Sequence, residues 1–263
     1  MGKLLNILFI GDIIGKPARK ALPDFLSEVS KAHTVDFMIA NGENLAGGVG
    51  ITKETAEEIF SLGINVLTTG NHIWAKKEAV ALLNSEKRLL RPLNYPEQCP
   101  GNGYVVLEDS SGHKIAIINA MGRVYIQSLD CPFKAIEAVL PSLNKHTKII
   151  IVDIHAEATS EKKALGWFLD GRVSAIVGTH THVQTADETI LPQGTAYVTD
   201  VGMVGPYDSV IGMDKKNALS RFLTQIPERL EVAKGPCIFN AVIISIDEKS
   251  GHSTSIKRIL LQE

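Results

Sequence analysis

The sequence predicts an α/β fold: two packed mixed β-sheets flanked by helices, in four layers ordered αββα. Three observations carry this. Strand-like apolar runs alternate with helix-periodic runs along the chain, as in layered α/β folds. Two turn-linked strand pairs in the second half add antiparallel strands, which suits two sheets packed face to face. Five strand-like runs end in residue types that bind metals, which gathers one site at the carboxyl edge, where open α/β sheets place their ligands. The 263 residues contain no low-complexity linker, internal repeat or charge block, so residues 1–263 read as a single domain.

The elements follow in order. Leu4–Ile10 is a first buried strand running into Gly11-Asp12. Pro17 suits a first helical turn, and Leu22, Phe25, Leu26 and Val29 recur at helical spacing. Phe37–Ala40 runs into Asn41-Gly42-Glu43-Asn44. Thr52 is a good N-cap for a second helix carrying Glu54, Ala56, Ile59 and Phe60, and Gly63 stops it. Ile64–Leu67 leads through Thr68-Thr69 to Gly70-Asn71-His72, and a third helix is expected from about Ala75 to Leu83. Gly103–Glu108 and Lys114–Asn119 flank a turn-forming Asp109-Ser110-Ser111-Gly112 and read as a hairpin. A fourth helix starts near Asp130 and Pro132. Ile149–Val152 runs into Asp153-Ile154-His155. A fifth helix follows Thr159-Ser160-Glu161 with Leu165, Phe168 and Leu169. Ala175–Val177 runs into Gly178-Thr179-His180-Thr181-His182. A sixth helix follows Asp214 and sets Leu219, Phe222 and Leu223 on one face. Ala241–Asp247 and Thr254–Leu261 form a last hairpin.

Composition excludes several classes. A net charge of −2 gives no general attraction to nucleic acid or anionic membrane. No run approaches the ~20 apolar residues of a membrane span. The N-terminal run is too short for a signal peptide, breaks at Asn6 and lacks a small-residue cleavage site. Asn6 also excludes a myristoylation signal. Cys99, Cys131 and Cys237 are widely spaced and read as reduced thiols, which suits a cytoplasmic protein. Gly11–Lys16 has three residues between its glycines, and Pro17 stands where a P-loop needs Ser or Thr. Gly47-Gly48-Val49-Gly50 lacks the full dinucleotide fingerprint.

The strand ends offer carboxylates (Asp12, Glu43), amides (Asn44, Asn71) and imidazoles (His155, His180, His182), with no cysteine among them. Such a set suits Mn, Fe or Zn and is too rich in nitrogen for Ca. It exceeds what one tetrahedral ion uses and fits two ions sharing a bridging carboxylate. If extended structure continues through them, His180 and His182 point the same way. Gly11, Gly42, Gly70 and Gly178 let backbone crowd around the centre. Of the eight histidines, His33, His113, His146 and His252 read as solvated surface residues. Asp153 reads equally as an orienting partner of His155 or a surface carboxylate, and Arg123 as a phosphate contact or, more simply, a surface salt bridge. Asp200 and Ser209, in the loop Thr199–Met213, receive no role.

Gly11-Asp12, Gly42-Glu43-Asn44, Gly70-Asn71-His72, His155 and Gly178-Thr179-His180-Thr181-His182 follow the order of the calcineurin-like metallophosphoesterase motifs. Asn41-Gly42-Glu43-Asn44, Gly70-Asn71-His72-Ile73-Trp74, His155–Glu161 and Asp200-Val201-Gly202-Met203 resemble its YmdB-like bacterial branch. The chain departs from the wider superfamily at Ile14, where a histidine is usual, at Glu43 in place of a bridging Asp, and at Ile73. The resemblance implies that Asn44 replaces the missing histidine. It further implies that Asp12, Glu43, Asn44 and His182 hold one ion, that Glu43, Asn71, His155 and His180 hold the other, and that Glu43 bridges. His72 then faces the substrate as the catalytic acid. The implied activity is that of a metallophosphoesterase with two divalent or mixed-valence ions, Fe or Mn foremost and Zn next, whose shared hydroxide attacks a phosphodiester. Cyclic 2′,3′-nucleotides are the leading implied substrate, with no stable nucleic-acid or membrane partner and a homo-oligomer as the family expectation. The alternatives are a phosphomonoesterase or protein phosphatase, and a regulatory binding protein with a structural or vestigial metal site. A structural site has no need of His72.

Overall fold

The computed structural model describes residues 3–263; Met1 and Gly2 of the N-terminal run lie outside the described residues. The strands are β1 (Leu4–Ile10), β2 (Asp12–Ile13), β3 (Phe37–Asn41), β4 (Val66–Thr68), β5 (Tyr104–Glu108), β6 (Lys114–Met121), β7 (Ile149–His155), β8 (Ala175–Thr179), β9 (Thr189–Ile190), β10 (Ala196–Val198), β11 (Met203–Pro206), β12 (Cys237–Asp247) and β13 (Ser253–Gln262). The α-helices are α1 (Gly15–Ala32), α2 (Lys53–Ser61), α3 (Ala79–Ser85), α4 (Pro132–Leu143), α5 (Thr159–Leu169) and α6 (Lys215–Thr224).

The strands form the two mixed sheets that the alternation predicts. The first runs β2-β11-β12-β1-β3-β4, with β13 also pairing β12. The second runs β5-β6-β7-β8-β10-β9. Both predicted hairpins are antiparallel pairs, Tyr104 opposite Ile118 and Ala241 opposite Ile259. Three apolar clusters explain the layering. One joins α1, α2 and α3 to the outer face of the first sheet through Leu22, Phe25, Ile59, Leu82 and Phe239. The second lies between the sheets, where Ile7, Phe9 and Ile39 meet Ile117, Ile151 and Val177. The third packs Ile136 and Leu140 of α4 and Leu165 of α5 on the outer face of the second sheet. Side chains alternate across each strand, so Leu8 and Ile10 serve one cluster while Ile7 and Phe9 serve the next.

Local chemistry sets the helix ends. Thr52 caps α2 as predicted: its hydroxyl accepts the Thr55 amide at 3.3 Å, while the Thr55 hydroxyl accepts the Thr52 amide at 3.0 Å. Asp214 caps α6 through the amides of Lys216 and Asn217. Two helix expectations need correction. The run from Ala75 to Leu83 is not one helix, because Lys76 is extended (φ −114°, ψ 128°) and separates a 3₁₀ turn at Ile73–Ala75 from α3. The predicted apolar face of α6 is not buried: only Ala218 packs inward, and Leu219, Phe222 and Leu223 are exposed.

Candidate metal centre

In both sheets the parallel strands deliver chemistry at their carboxyl ends. Parallel pairing of β1 with β3 and of β3 with β4 aligns Ile10 with Ala40 and Asn41 with Thr68. The residues just beyond, Asp12, Glu43 and Asn71, therefore emerge together. In the second sheet, β7 and β8 place His155 beside Thr179, immediately before His180. The site forms where these two edges meet.

There the structure gathers all seven predicted ligands. Potential donor atoms of Glu43, His155 and His180 lie within 4.8 Å of one another. His155 Nε2 is 3.2 Å from Glu43 Oε1, 3.1 Å from Asn71 Oδ1 and 3.0 Å from His180 Nδ1. Alongside, His182 Nε2 is 3.8 Å from Asp12 Oδ1 and 3.1 Å from the Asn44 amide. The His180 amide donates to Asp12 Oδ2, linking the two groups. His72 stands beside them: its backbone N–H donates to Glu43 Oε2 at 3.1 Å and its side chain lines the adjoining cleft.

The outer nitrogen of each imidazole has an acceptor that orients the ring. The Thr179 hydroxyl donates to Asp153 Oδ1 at 2.8 Å, so its lone pair faces His155 Nδ1 at 2.9 Å and takes that proton. His180 Nε2 meets Glu157 at 3.1 Å, and His182 Nδ1 donates to the Ile211 carbonyl at 2.9 Å. The second nitrogen of each ring faces inward: His155 Nε2 toward the Glu43 and Asn71 oxygens and His180 Nδ1, and His182 Nε2 toward Asp12 Oδ1 and Asn44 Nδ2. Asp12 Oδ1 is buried with no hydrogen-bond partner. An orphaned carboxylate oxygen among inward-facing ring nitrogens fits a cation.

The acid–base pattern points the same way. Burial opposes ionisation of Glu43, but the charges of His155 and His72 and their hydrogen bonds outweigh it and bring its pKa down to about 2. For His155 burial favours the neutral ring, and the surrounding carboxylates, led by Glu43, reverse this and raise it to about 9. A proton on His155 thereby supplies the positive charge that a cation would bring. Burial and the neighbouring His155 charge push His180 down to about 3. Burial raises Asp12 to about 7 and Asp153 to about 6.

Two glycines are dictated by close approach. A Cβ on Gly70 would fall 2.2 Å from His155 Nε2, and one on Gly178 only 1.8 Å from the Thr199 carbonyl oxygen. The expectation that His180 and His182 continue a strand is overturned. β8 ends at Thr179, and both residues are left-handed, with φ 101° and 62°. They reach the site by a strained turn through Thr181. Asp153 is not a surface carboxylate: it is fully buried, accepting from Thr68, Thr179 and Asn41. The Arg123 side chain is exposed and makes no ion pair among the described residues, while its amide donates to Glu161. Ser209 closes a local turn by donating to the Pro206 carbonyl.

The sequence reading also missed a buried ion pair. Lys162 Nζ donates to Asp200 Oδ2 and to the Thr179 carbonyl, both at 2.7 Å, and Asp200 Oδ2 accepts the Thr181 amide at 3.1 Å. Both side chains are fully buried. The pair grips the backbone on either side of His180. Lys162 falls three, four and seven residues before Leu165, Gly166 and Leu169, all buried, and that spacing places it on the inner face of α5.

Known proteins share both the sequence and the fold. A family model described as YmdB-like protein matches residues 8–259. A Bacillus subtilis (strain 168) protein named 2′,3′-cyclic-nucleotide 2′-phosphodiesterase is 44% identical over 259 residues, covering 98% of either chain. A crystal structure of a hypothetical protein from Thermus thermophilus superposes with a TM-score of 0.91 at 40% identity, covering 98% of this chain and 100% of that one. Another, described as a novel phosphatase from Mycoplasma pneumoniae, gives 0.93 at 35% identity, covering 100% of this chain and 95% of that one.

Proposed function

Because the chain belongs to the YmdB-like family, we propose that it is a metal-dependent phosphodiesterase acting on 2′,3′-cyclic nucleotides. The observation that carries the reading is the convergence of inward imidazole nitrogens on Glu43 and on the unpartnered Asp12 oxygen, with His72 beside them. Asp12, Glu43, Asn44 and His182 would hold one cation; Glu43, Asn71, His155 and His180 would hold a second, with Glu43 shared. The donor chemistry suits Mn, Fe or Zn. When bound, the cations supply Lewis-acid neutralisation of the phosphoryl oxygens and lower the pKa of an attacking water toward 7.

The chain's own residues have the remaining tasks. Thr179, Glu157 and the Ile211 carbonyl keep the three rings oriented, so the ligand geometry is already assembled when substrate arrives. Water oxygen bonds to phosphorus, the P–O2′ bond breaks, and His72 gives a ring proton to the departing O2′, leaving a 3′-phosphate. The Glu43 contact to the His72 amide fixes that residue relative to the ligand set. The Mycoplasma pneumoniae structure described as a phosphatase favours phosphomonoesters as a second reading. Three free cysteines and a nucleotide substrate suit a cytoplasmic enzyme. No helix among the described residues is long and apolar enough to cross a membrane.

The test is a metal-supplemented assay of diester, monoester and 2′,3′-cyclic nucleotide substrates with wild type and His72→Ala. Cyclic-nucleotide hydrolysis should exceed monoester hydrolysis. The variant should keep its metal and lose roughly 10²–10⁴-fold in turnover, the usual contribution of a positioned acid. Full activity of the variant on a cyclic nucleotide would remove the acid role; inertness of the wild type on every substrate would favour a regulatory binding protein.

A further inference from the structure

The cleft in front of the metal centre is larger than one cyclic phosphate requires. Its volume is about 1170 Å³, above the ~300–1,000 Å³ usual for small-molecule pockets. Six cationic side chains line it: Lys16, Lys20, Lys76, Arg221, Arg229 and Lys234. Among the described residues none of the six takes part in an ion pair. Four carboxylates share the lining: Glu43 belongs to the metal set, Glu157 meets the His180 ring, Glu228 accepts from the neutral Asn217 amide at 2.9 Å, and Glu231 stands with them, so the six cationic side chains face three acids outside the metal set. Met213, Leu230 and Val232 add apolar surface between the charges.

A cyclic mononucleotide carries one negative charge, and the metal centre takes it up. The cations outnumber the acids outside the metal set six to three, and that excess has nothing to neutralise on the substrate. Crowded into one cleft they repel one another and raise a positive potential that concentrates anions. The net charge of −2 averages over the whole surface and conceals this local excess. Resting on the phosphodiesterase reading above, we propose that this wall binds the phosphodiester backbone of a short single-stranded RNA whose 2′,3′-cyclic phosphate end occupies the metal centre. The apolar positions between the cations suit bases splayed out of a single strand, which bind through their faces. Such ends are what RNA scission by the neighbouring 2′-hydroxyl leaves, so the reaction supplying this substrate is RNA strand cleavage of that class. Hydrolysis breaks P–O2′, adds the water oxygen to phosphorus, and leaves the strand with a 3′-phosphate and a free 2′-hydroxyl.

The experiment compares a 2′,3′-cyclic mononucleotide with a trinucleotide ending in the same cyclic phosphate, using metal-loaded protein. The trinucleotide should have a kcat/KM about tenfold or more above the mononucleotide, because binding of remote groups adds to transition-state binding. For two backbone contacts, log kcat/KM on the trinucleotide should fall against log salt with a slope of about −1.4, at ~0.7 per contact. The triple variant Lys16→Ala/Lys20→Ala/Arg229→Ala should erase the gain and leave mononucleotide turnover unchanged. Equal kcat/KM for the two substrates overturns the subsite while leaving the phosphodiesterase reading intact. If neither is cleaved that reading fails, and fluorescence anisotropy with a labelled trinucleotide 3′-phosphate decides the subsite alone: salt-sensitive binding lost in the triple variant supports it, and no binding overturns it.

Discussion

His180 and His182 bring their imidazoles to the site from backbone that L-residues rarely adopt, with φ of 101° and 62°. Strain of this kind persists only where surrounding contacts over-determine it. Here the Lys162–Asp200 pair is the fastening, through the Thr179 carbonyl and the Thr181 amide. Lys162→Met keeps the volume but leaves Asp200 charged and buried, which should cost about 3–5 kcal/mol of stability. It should also weaken metal affinity, measured by calorimetry on folded protein, because the turn carrying both histidines is released. Adding Asp200→Asn removes the orphan charge and should return much of the stability without restoring the affinity. Unchanged metal affinity in the double variant would show the pair to be merely structural. At this scale the candidate ligands were legible and the fastening of their turn was not. Asp12, Glu43 and the histidines are unusual residues to find just after apolar strands. Lys162 is an ordinary helical lysine unless its phase relative to Leu165 and Leu169 is read.

The elements were mostly legible because each is set by local chemistry. Thr52 marks its helix through the capping exchange with Thr55, and both hairpins follow from polar turns between alternating strands. Where expectation failed, a tertiary demand had won. Lys76 is extended where the chain borders the cleft, and His113, read as solvated, joins two turns that are distant in sequence. Its Nδ1 contacts Asp109 at 2.7 Å in the β5–β6 turn, and its Nε2 contacts Glu248 at 2.9 Å beyond β12. The Asp109 hydrogen bond holds the imidazolium above its ordinary value of 6.5, against a smaller opposing effect of burial, with Glu248 assisting. The folded protein therefore holds this proton more tightly than the unfolded chain. Its stabilisation is fully present below about pH 6.5 and is lost as pH rises through the raised folded value. His113→Gln should accordingly melt below wild type at pH 6, with the gap narrowing toward pH 9. Thermal melts across that range check this, and a constant gap would remove the charge-based account.

For the whole molecule, the decisive feature is that neither sheet owns the site. Asp12, Glu43, Asn44 and Asn71 follow strands of the first sheet, while His155 ends β7 and His180 and His182 follow β8 of the second. The strand-end pattern made this gathering legible. The cationic wall was not, because Lys16, Lys76, Arg221 and Lys234 lie far apart in the chain and each alone reads as a solvated side chain. A site divided between two sheets makes metal a link between them, over and above the apolar layer of Phe9, Ile39, Ile151 and Val177. Binding to the folded state alone stabilises by about 4 kcal/mol when free metal stands at a thousand times its dissociation constant. For a chain of this length that corresponds to a midpoint shift on the order of 10 °C. Scanning calorimetry before and after chelation should show that fall, with recovery complete at two equivalents of Mn²⁺ per chain. Recovery complete at one equivalent would reduce the centre to a single ion. No shift at all would mean that the folded chain binds no metal in preference to the unfolded one, which would remove the metal centre.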